Sequence, residues 1–333
     1  MQSIVKMANV SNMSTCNLNI TDGIKSLQLA TSIPTFILGA LGNIYLFVMF
    51  CRRPRKEWTN MMIYITNMAI ADCVVLIILP IRIASYYAAS KTSQANWALW
   101  DSSKKELCYF LVSVNYVNMY VSIFTMTAIS VARYVAIKYP LKARYIMSRK
   151  KDLVVCALIW VVNCSLSAIF HYVDNPKNQT DFKCFQKNQE GALPLSFILV
   201  LTVAGFLMPF LIMFYCSAKI IHTLRKQLDI GIRAEKIQCM FIITANLIVF
   251  VVCFFPVHFG FLFKFILEKS ESNCDMQIFA HNFVHGAMCF SIMNCGLDSF
   301  SYYFANKTKW NMCGTNQRND GKCVYNRVEI RDK

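Results

Sequence analysis

Charged side chains are scarce in this sequence of 333 residues. Asp, Glu, Lys and Arg together make up 16% of it, whereas hydrophobic residues make up 56%. Long runs carry no charge at all, and residues 191–217 contain no Asp, Glu, Lys or Arg. A buried helix of a soluble protein seldom extends so far without a charge. The composition therefore argues against a water-soluble fold.

Seven long apolar stretches account for this composition. Each can cross the bilayer, because about 30 Å of hydrocarbon requires about 20 helical residues. The stretches are residues 27–51, 61–88, 107–131, 153–173, 193–221, 237–263 and 276–304. The sequence predicts an all-α membrane protein with a seven-transmembrane helix bundle at residues 27–304. An N-terminal segment (1–26) and a short tail (305–333) flank it, and no second domain fits in the loops.

The basic residues predict the orientation of the bundle. Lys and Arg number 34 against 18 Asp and Glu, and most lie in residues 52–56, 133–151, 219–236 and the tail. Cytoplasmic loops retain Lys and Arg near helix ends. These segments are therefore expected in the cytosol and the N-terminus outside, as in a multi-pass plasma-membrane protein. Nucleic-acid binding is disfavoured, since the charge is spread over membrane-flanking loops.

Glycosylation sequons give an independent indication of the same topology. Four fall on the predicted outer side, at Asn9, Asn12, Asn19 and Asn178. The matches at Asn163, inside the fourth stretch, and at Asn306, in the cytosol, are expected to be unused. The first 26 residues have no apolar core typical of a cleavable signal peptide, so the first helix is expected to target the chain.

Most of the 15 cysteines fall in apolar stretches or on the predicted inner side, where thiols stay reduced. Four lie on the predicted outer side, and they allow three pairings. They are Cys16, Cys108, Cys184 and Cys274. A Cys108–Cys184 bond would hold the second outer loop over the mouth of the bundle. A Cys16–Cys274 bond would then attach the N-terminus to the last outer loop.

Signatures of catalysis are missing from the sequence. It has no phosphate-binding loop, no metal-ligand cluster and no nucleophile beside a base. We therefore expect no enzyme activity in this chain. A transporter or channel remains the alternative from another class, and would require inverted halves, interrupted helices or charged rings along a pore. None of these is evident.

Short motifs occur in order, with at least one in each stretch. They are Gly42-Asn43, Asn67-Met68-Ala69-Ile70-Ala71-Asp72, Cys108 followed by Arg133-Tyr134, Trp160, Pro209, Cys253-Phe254-Phe255-Pro256, and Asn294 with residues 298–302. With them the chain resembles the rhodopsin-like (class A) G-protein-coupled receptors from about residue 27 to 305. The resemblance implies a receptor that activates heterotrimeric G proteins.

A closer resemblance is to the purinergic-type branch of that family, through Cys16, Cys274 and Asp298. Within the branch, residues 27–36, 254–258 and 294–304 resemble the lysophosphatidylinositol receptors. The resemblance implies an anionic lysophospholipid ligand, lysophosphatidylinositol. It also suggests coupling to the α subunits of the twelve/thirteen and q classes, which the inner loops do not decide.

Polar residues inside the stretches are costly and are functional by default. Five of them could converge in the middle of the bundle: Asp72, Asn118, Ser122, Asn294 and Asp298. Two carboxylates there could hold a sodium ion or share a proton, and the resemblance implies a sodium site that favours the inactive state. The alternative is a hydrogen-bonded network that joins helices without an ion. No other cofactor is expected.

The inner end would carry the switch that the resemblance implies. The residues concerned are Arg133, Tyr134, Pro140, Leu141 and Tyr302. The sequence departs from the family at Ala132, where an acid is usual, and at Ser299, where a proline is usual. Without the acid, Arg133 lacks its local ion pair. Signalling could then be leaky, other contacts could hold the resting state, or the protein could fail to couple.

The outer third of the bundle limits the ligand class. The third stretch has no Asp near Asn115 and Tyr116 for an amine, and the seventh has no Lys to hold retinal. Cationic or titratable candidates are Arg82, His258, Lys264 and His285; other candidates are Tyr86, Asn115, Tyr116, Met119, Phe261 and Met288. A cationic rim above an apolar shaft suits a phosphate head and one acyl tail. Arg82 could alternatively extend to lipid headgroups.

Overall fold

The computed structural model of the chain describes residues 20–52, 54, 58, 60–91, 102–173, 195–226, 233–270 and 273–316. These residues form seven long helices and no strand. The helices are α1 (Asp22–Cys51), α2 (Asn60–Lys91), α3 (Ser102–Lys138), α4 (Arg149–Val173), α5 (Leu195–Lys226), α6 (Arg233–Lys269) and α7 (Cys274–Asn316). A short helix, Pro140–Ile146, connects α3 to α4. The predicted all-α seven-helix bundle is confirmed.

Six of the seven described helices are long and apolar enough to span a membrane. This holds by length and composition for α1 to α6. Polar side chains such as His281, Asn294 and Asp298 make α7 less apolar, but they are buried in the bundle. Most helices extend beyond the predicted bounds; α1 already begins at Asp22, α3 continues to Lys138 and α7 continues to Asn316.

Polar and apolar side chains are distributed in the opposite sense to a water-soluble protein. On the outside, Ile77 is 75% exposed and Phe241 is 65% exposed. On the inside, Asn43, Asp72 and Ser122 are almost completely buried. Lipid offers no hydrogen bonds, so polar groups are stable only where other parts of the protein can meet them. The surface of the bundle therefore fits a lipid environment.

The main core surrounds α3, which packs against α2, α4 and α5. Met68 of α2, Ile123 of α3 and Phe250 of α6 are fully or almost fully buried there. The ring centroids of Phe206 and Phe250 lie 5.5 Å apart in a stacked arrangement. This contact joins α5 to α6 beside α3.

Helix α5 contains a π-helical segment, Val200–Leu207. Pro209 follows it, and a proline has no N–H and clashes with the carbonyl four residues earlier. The N–H of Met208 accordingly donates to the oxygen of Val203, five residues earlier. One wide turn therefore accommodates Pro209 and changes which side chains of α5 face the bundle.

Helices α1 and α7 meet closely at Gly42 and Ser299. The Ser299 hydroxyl donates back to the carbonyl oxygens of Cys295 (3.3 Å) and Gly296 (3.0 Å). A Cβ atom on Gly42 would lie 2.6 Å from the Cβ of Ser299 and would also collide with its Oγ. The absence of a side chain at Gly42 is what permits this approach.

We expect Gly42→Ala to destabilise the protein by about 1–3 kcal/mol, because the added methyl group forces α1 away from α7. The measurement is the thermal unfolding temperature of the purified protein. Gly286→Ala is the matched control in α7, since its Cβ would lie 3.5 Å from Ile24, an ordinary contact. Equal unfolding temperatures for Gly42→Ala and the wild type would contradict the tight α1–α7 contact.

Candidate functional site

A cavity of about 240 Å³ opens among α2 to α7, at the end of the bundle away from Arg133. Seven of the residues predicted from the sequence line it: Arg82, Asn115, Tyr116, Phe261, Lys264, His285 and Met288. Helices α4 and α5 complete the wall, largely with apolar side chains such as Leu166, Ile198 and Leu201. The site is therefore an apolar cavity with a small number of polar groups, as is usual for ligand pockets.

Arg82 is the deeply buried cation of this cavity. Its side chain is 5% exposed, and its Nη1 donates to Oδ1 of Asn115 at 3.3 Å. The amide nitrogen of Asn115 donates to the carbonyl oxygen of Leu111 at 2.9 Å, which orients the amide oxygen toward Arg82. The guanidinium group is thus held in place by α3 while it faces the cavity.

Lys264 is the second cation, and it has an acidic partner. Its Nζ lies 3.6 Å from Oε1 of Glu268, one turn further along α6, and both residues line the cavity. The ring centroids of His281 and His285 lie 4.6 Å apart on the facing helix α7. Glu268 offsets the charge of Lys264, and Arg82 supplies a further cationic group to the cavity wall.

The floor of the cavity is aromatic. Tyr116 lies 6.3 Å from Phe261 between ring centroids, and Tyr120 lines the cavity beside Gly205. A Cβ atom on Gly205 would come within 2.6 Å of Cε1 of Tyr120, so a glycine is required for this ring to fit. The π-helical segment of α5 presents Gly205 at this position.

Two predicted ligand residues lie outside the cavity wall. Met119 is 2% exposed and packs in the main core. His258 lies behind Tyr120, at 5.7 Å between ring centroids, and its Nδ1 is 2.8 Å from the carbonyl oxygen of Phe254. Their helical phase directs both side chains into the bundle. The side chain of Tyr86 lies outside the described residues.

The predicted polar network centres on Cys295 of α7. Asn118 of α3 donates to its Sγ at 3.7 Å, Asn43 of α1 donates to its carbonyl oxygen at 3.2 Å, and its thiol is hydrogen-bonded with Asp72 of α2. On the same helix, Asn294 donates to Oδ2 of Asp298 at 2.7 Å. Four helices therefore meet through polar groups around one cysteine.

Several oxygens in this network are buried and have no hydrogen-bond partner among the described residues. They are Oδ1 of Asp72, Oδ1 of Asn118, Oγ of Ser122 and Oδ1 of Asn294. Such oxygens suit a small hard cation. Among the described residues, no group of three or more His, Cys, Asp or Glu side chains is arranged to hold a metal ion.

Arg133 lies at the opposite end of α3 from the cavity. Its Nη1 is buried and has no hydrogen-bond partner in the described part of the chain, and Cys239 of α6 is close enough to interact with its charge. The neighbouring Ala132 is 7% exposed. Pro140 is the first residue of the connecting helix, and Leu141 is 77% exposed. The side chain of Tyr302 lies outside the described residues.

Comparison with known proteins identifies this arrangement. The model of the seven-transmembrane receptors of the rhodopsin family matches residues 42–302. The chain belongs to this receptor family. It is 32% identical to G-protein coupled receptor 55 of Homo sapiens, over 86% of this chain and 88% of that protein. It is 31% identical to lysophosphatidic acid receptor 4 of Homo sapiens, over 90% and 79%. It is therefore a multi-pass membrane receptor related to lysophospholipid receptors.

The predicted disulfide cysteines and glycosylation sites of the receptor lie mainly outside the described residues. This applies to Cys16, Cys184 and the side chain of Cys108, and to the sequons at Asn9, Asn12, Asn19 and Asn178. Cys274, at the beginning of α7, is disulfide-bonded. The two pairings that involve these cysteines stay predictions.

Three functional candidates in the receptor were not selected from the sequence as site residues. Cys295 was read only as part of a family motif, because a lone cysteine in an apolar helix usually packs. Glu268 could have been found from its spacing of four residues after Lys264. For Tyr120 the sequence gives no comparable signal, because its place in the floor depends on Gly205 of another helix.

We expect Cys295→Ala to destabilise the receptor by about 1–3 kcal/mol more than Cys253→Ala does. Both changes remove a buried thiol, but only the first leaves Asp72 and Asn118 without a partner. Cys253 is 0% exposed and packs in the main core, so it controls for lost volume. Thermal unfolding of the purified receptor measures the difference. A Cys295→Ser variant should recover most of the lost stability. Equal losses from both alanine variants would show that the hydrogen bonds of Cys295 do not stabilise the network.

Proposed function

We propose that this receptor responds to an anionic lysophospholipid, lysophosphatidylinositol, at the plasma membrane and activates heterotrimeric G proteins. The observation that carries the proposal is Arg82, a buried guanidinium group directed at a cavity whose remaining wall is largely apolar and aromatic. A phosphate head and one acyl tail match these two parts.

Arg82 suits a phosphate better than a lysine would. Its planar fork donates two parallel hydrogen bonds, and the guanidinium group is weakly hydrated, so it loses less when water is displaced. Asn115 holds the fork from one side. Because Lys264 is paired with Glu268, it would bind the phosphate head more weakly than Arg82 does.

The comparisons favour this ligand class without naming the ligand. Two of the matched relatives carry the name lysophosphatidic acid receptor, namely receptor 4 of Homo sapiens and receptor 6 of Gallus gallus. The distribution of Lys and Arg supports an outer N-terminus and cytosolic basic segments. A receptor of the same branch for another anionic ligand is the second candidate.

Signalling would follow from a shift in population between two arrangements of the bundle. Pro209 and Pro256 supply bends in α5 and α6, whose inner ends would separate and admit a helix of the G-protein α subunit. Catalysis would be carried out by the G protein, of the twelve/thirteen or q class by resemblance. The unpartnered Nη1 of Arg133 and the neutral Ala132 favour elevated basal activity.

The polar network would regulate this equilibrium through a cation. Asp72 and Asp298, with the oxygens of Ser122 and Asn118, would hold a sodium ion, which supplies positive charge between two buried carboxylates. The unpartnered oxygens of Asp72, Asn118 and Ser122 support this assignment. A hydrogen-bonded network with one shared proton is the alternative.

For the cation, we expect the receptor to unfold at a higher temperature in sodium chloride than in choline chloride of equal concentration. The gain should be about 1 kcal/mol when sodium exceeds its Kd several-fold. Asp72→Asn should remove the difference. Asp152→Asn should keep it, because Asp152 is a buried carboxyl that instead accepts from Tyr64 Oη at 2.9 Å. Equal unfolding temperatures for the wild type in both salts would favour the shared proton.

For the ligand, we expect lysophosphatidylinositol to raise G-protein turnover in cells that express the receptor. Arg82→Ala should lower its potency by about tenfold or more, since a hydrogen-bonded charge pair is lost. The potency at Arg82→Lys should lie between those at the wild type and at Arg82→Ala, because lysine keeps the positive charge but not the planar pair of donors. Surface expression is measured for every variant.

Lys25→Ala is the matched control, since Lys25 is a cation of α1 that pairs with Asp22 and does not line the cavity. An unchanged response in Arg82→Ala would contradict the role of Arg82. A wild type that responds to lysophosphatidic acid but not to lysophosphatidylinositol would support the second candidate, a receptor for another anionic ligand. No response to either lipid, with high basal turnover, would indicate a receptor that is active without ligand. No response and no basal turnover would indicate a protein that does not couple to G proteins.

A further inference from the structure

A cluster of tyrosines and lysines lies at the end of the bundle near Arg133. It joins the end of α3, the beginning of the Pro140–Ile146 helix and the last turns of α5. Its six members are Tyr134, Lys138, Tyr139, Lys142, Tyr215 and Lys219, which we call the basic tyrosine cluster. All are exposed except Tyr134, which is half-buried.

The hydroxyl groups of the cluster converge. Nζ of Lys138 donates to Oη of Tyr134 at 3.0 Å, and Tyr134 is also hydrogen-bonded with Tyr139 and Tyr215. The ring of Tyr134 meets those of Tyr139 and Tyr215 edge to face, at 6.1 Å and 5.9 Å between centroids. Rings from three segments of the chain therefore meet at Tyr134, whose hydroxyl group lies beside the ammonium group of Lys138.

The ammonium groups stand over the rings. Lys138 lies 5.3 Å from the ring centroids of both Tyr134 and Tyr139, and Lys142 and Lys219 lie 5.7 Å from those of Tyr139 and Tyr215. Cation–π contacts of this kind hold the lysines beside the hydroxyl groups. The pKa of Tyr139 is lowered from its usual 10.0, first by its hydrogen bond with Tyr134 and then by Lys138.

No acid balances this charge within the described residues. The ion pairs found there join Lys25 to Asp22 and Lys264 to Glu268, and neither involves the cluster. Three ammonium groups and three hydroxyl groups offer many donors and no carboxylate. This composition matches a group with several anionic acceptor oxygens, and phosphate monoesters are the common example.

The position of the cluster indicates a lipid as the source of the phosphate. Leu211, one turn before Tyr215 on the same face of α5, is 50% exposed, and Phe214 is 54% exposed, so this part of α5 would face lipid in a bilayer. Tyrosine and lysine are favoured where a helix leaves the hydrocarbon. We propose that the basic tyrosine cluster binds the headgroup of an inner-leaflet phospholipid that carries phosphate monoesters. The choice of leaflet rests on the orientation proposed above.

The test uses the full chain in lipid discs of phosphatidylcholine and measures the binding of dioctanoyl phosphatidylinositol 4,5-bisphosphate. Both faces of a disc are accessible, so the result does not depend on orientation. We expect saturable binding, weakened about fivefold by Lys138→Gln and by Lys219→Gln, since a basic residue near a membrane contributes about this much. Tyr215→Phe should also weaken it, because the ring stays and one donor is lost. Lys138→Arg should retain it.

Matched controls separate this site from general attraction and from the outer cavity. Lys150→Gln removes an exposed cation at the same end of the bundle, outside the cluster, and should leave binding unchanged. Arg82→Ala should also leave it unchanged, so failure of the proposed lysophospholipid site would not affect this result. If the Lys138→Gln protein does not fold, Lys142→Gln replaces it, since Lys142 is a cluster member that stands over the ring of Tyr139.

Four results would overturn the proposal. The first is an absence of saturable binding to the wild type, and the second is an equal loss in Lys150→Gln or Arg82→Ala. The third is equal binding of phosphatidylserine, or competition by free inositol trisphosphate at the same concentration as the lipid. The fourth is loss of G-protein turnover in Lys138→Gln with lipid binding intact, which would assign the cluster to the G protein.

Discussion

Polar groups inside the membrane must find partners within the bundle, because lipid supplies none. This requirement organises the protein around α7. Cys295 meets α1 through Asn43, α2 through Asp72 and α3 through Asn118. The neighbouring Ser299 packs on Gly42. The rotation of α7 is therefore determined by a few polar and small residues.

The same constraint connects the two ends of the receptor. Helix α3 carries Asn115 and Tyr120 at the cavity, Asn118 in the polar network and Arg133 at the other end. From Tyr120, ring contacts run to His258 and Phe206, and then to Phe250 of the core. Packed side chains with few voids transmit a displacement because they cannot be compressed. A ligand that moves Tyr120 would therefore press on α5 and α6 together.

The departures from the receptor family have a consistent physical meaning. Ser299 leaves the helix of α7 without a proline ring, and its hydroxyl bonds back to the preceding turn instead. Ala132 offers no carboxylate to Arg133, whose charge is close enough to the thiol of Cys239 to interact with it.

The amino-acid sequence alone determines the number of helices, their membrane environment and the general class of the protein. Each span must close its own backbone hydrogen bonds and present an apolar surface, so it appears as a long uncharged run. The costly buried residues Asp72, Arg82 and Asp298 stand out in these runs for the same reason. Motif order then indicates the receptor family.

Only the tertiary structure decided which side chains share a site. Met119 and Tyr120 are adjacent, yet one packs in the core and the other lines the cavity, because successive residues on a helix point about 100° apart. The π-helical turn before Pro209 determines which residues of α5 face Tyr120. The ion pair with Glu268 offsets the positive charge of Lys264. Helix rotation depends on contacts with every neighbouring helix, and a single sequence does not specify those contacts in advance.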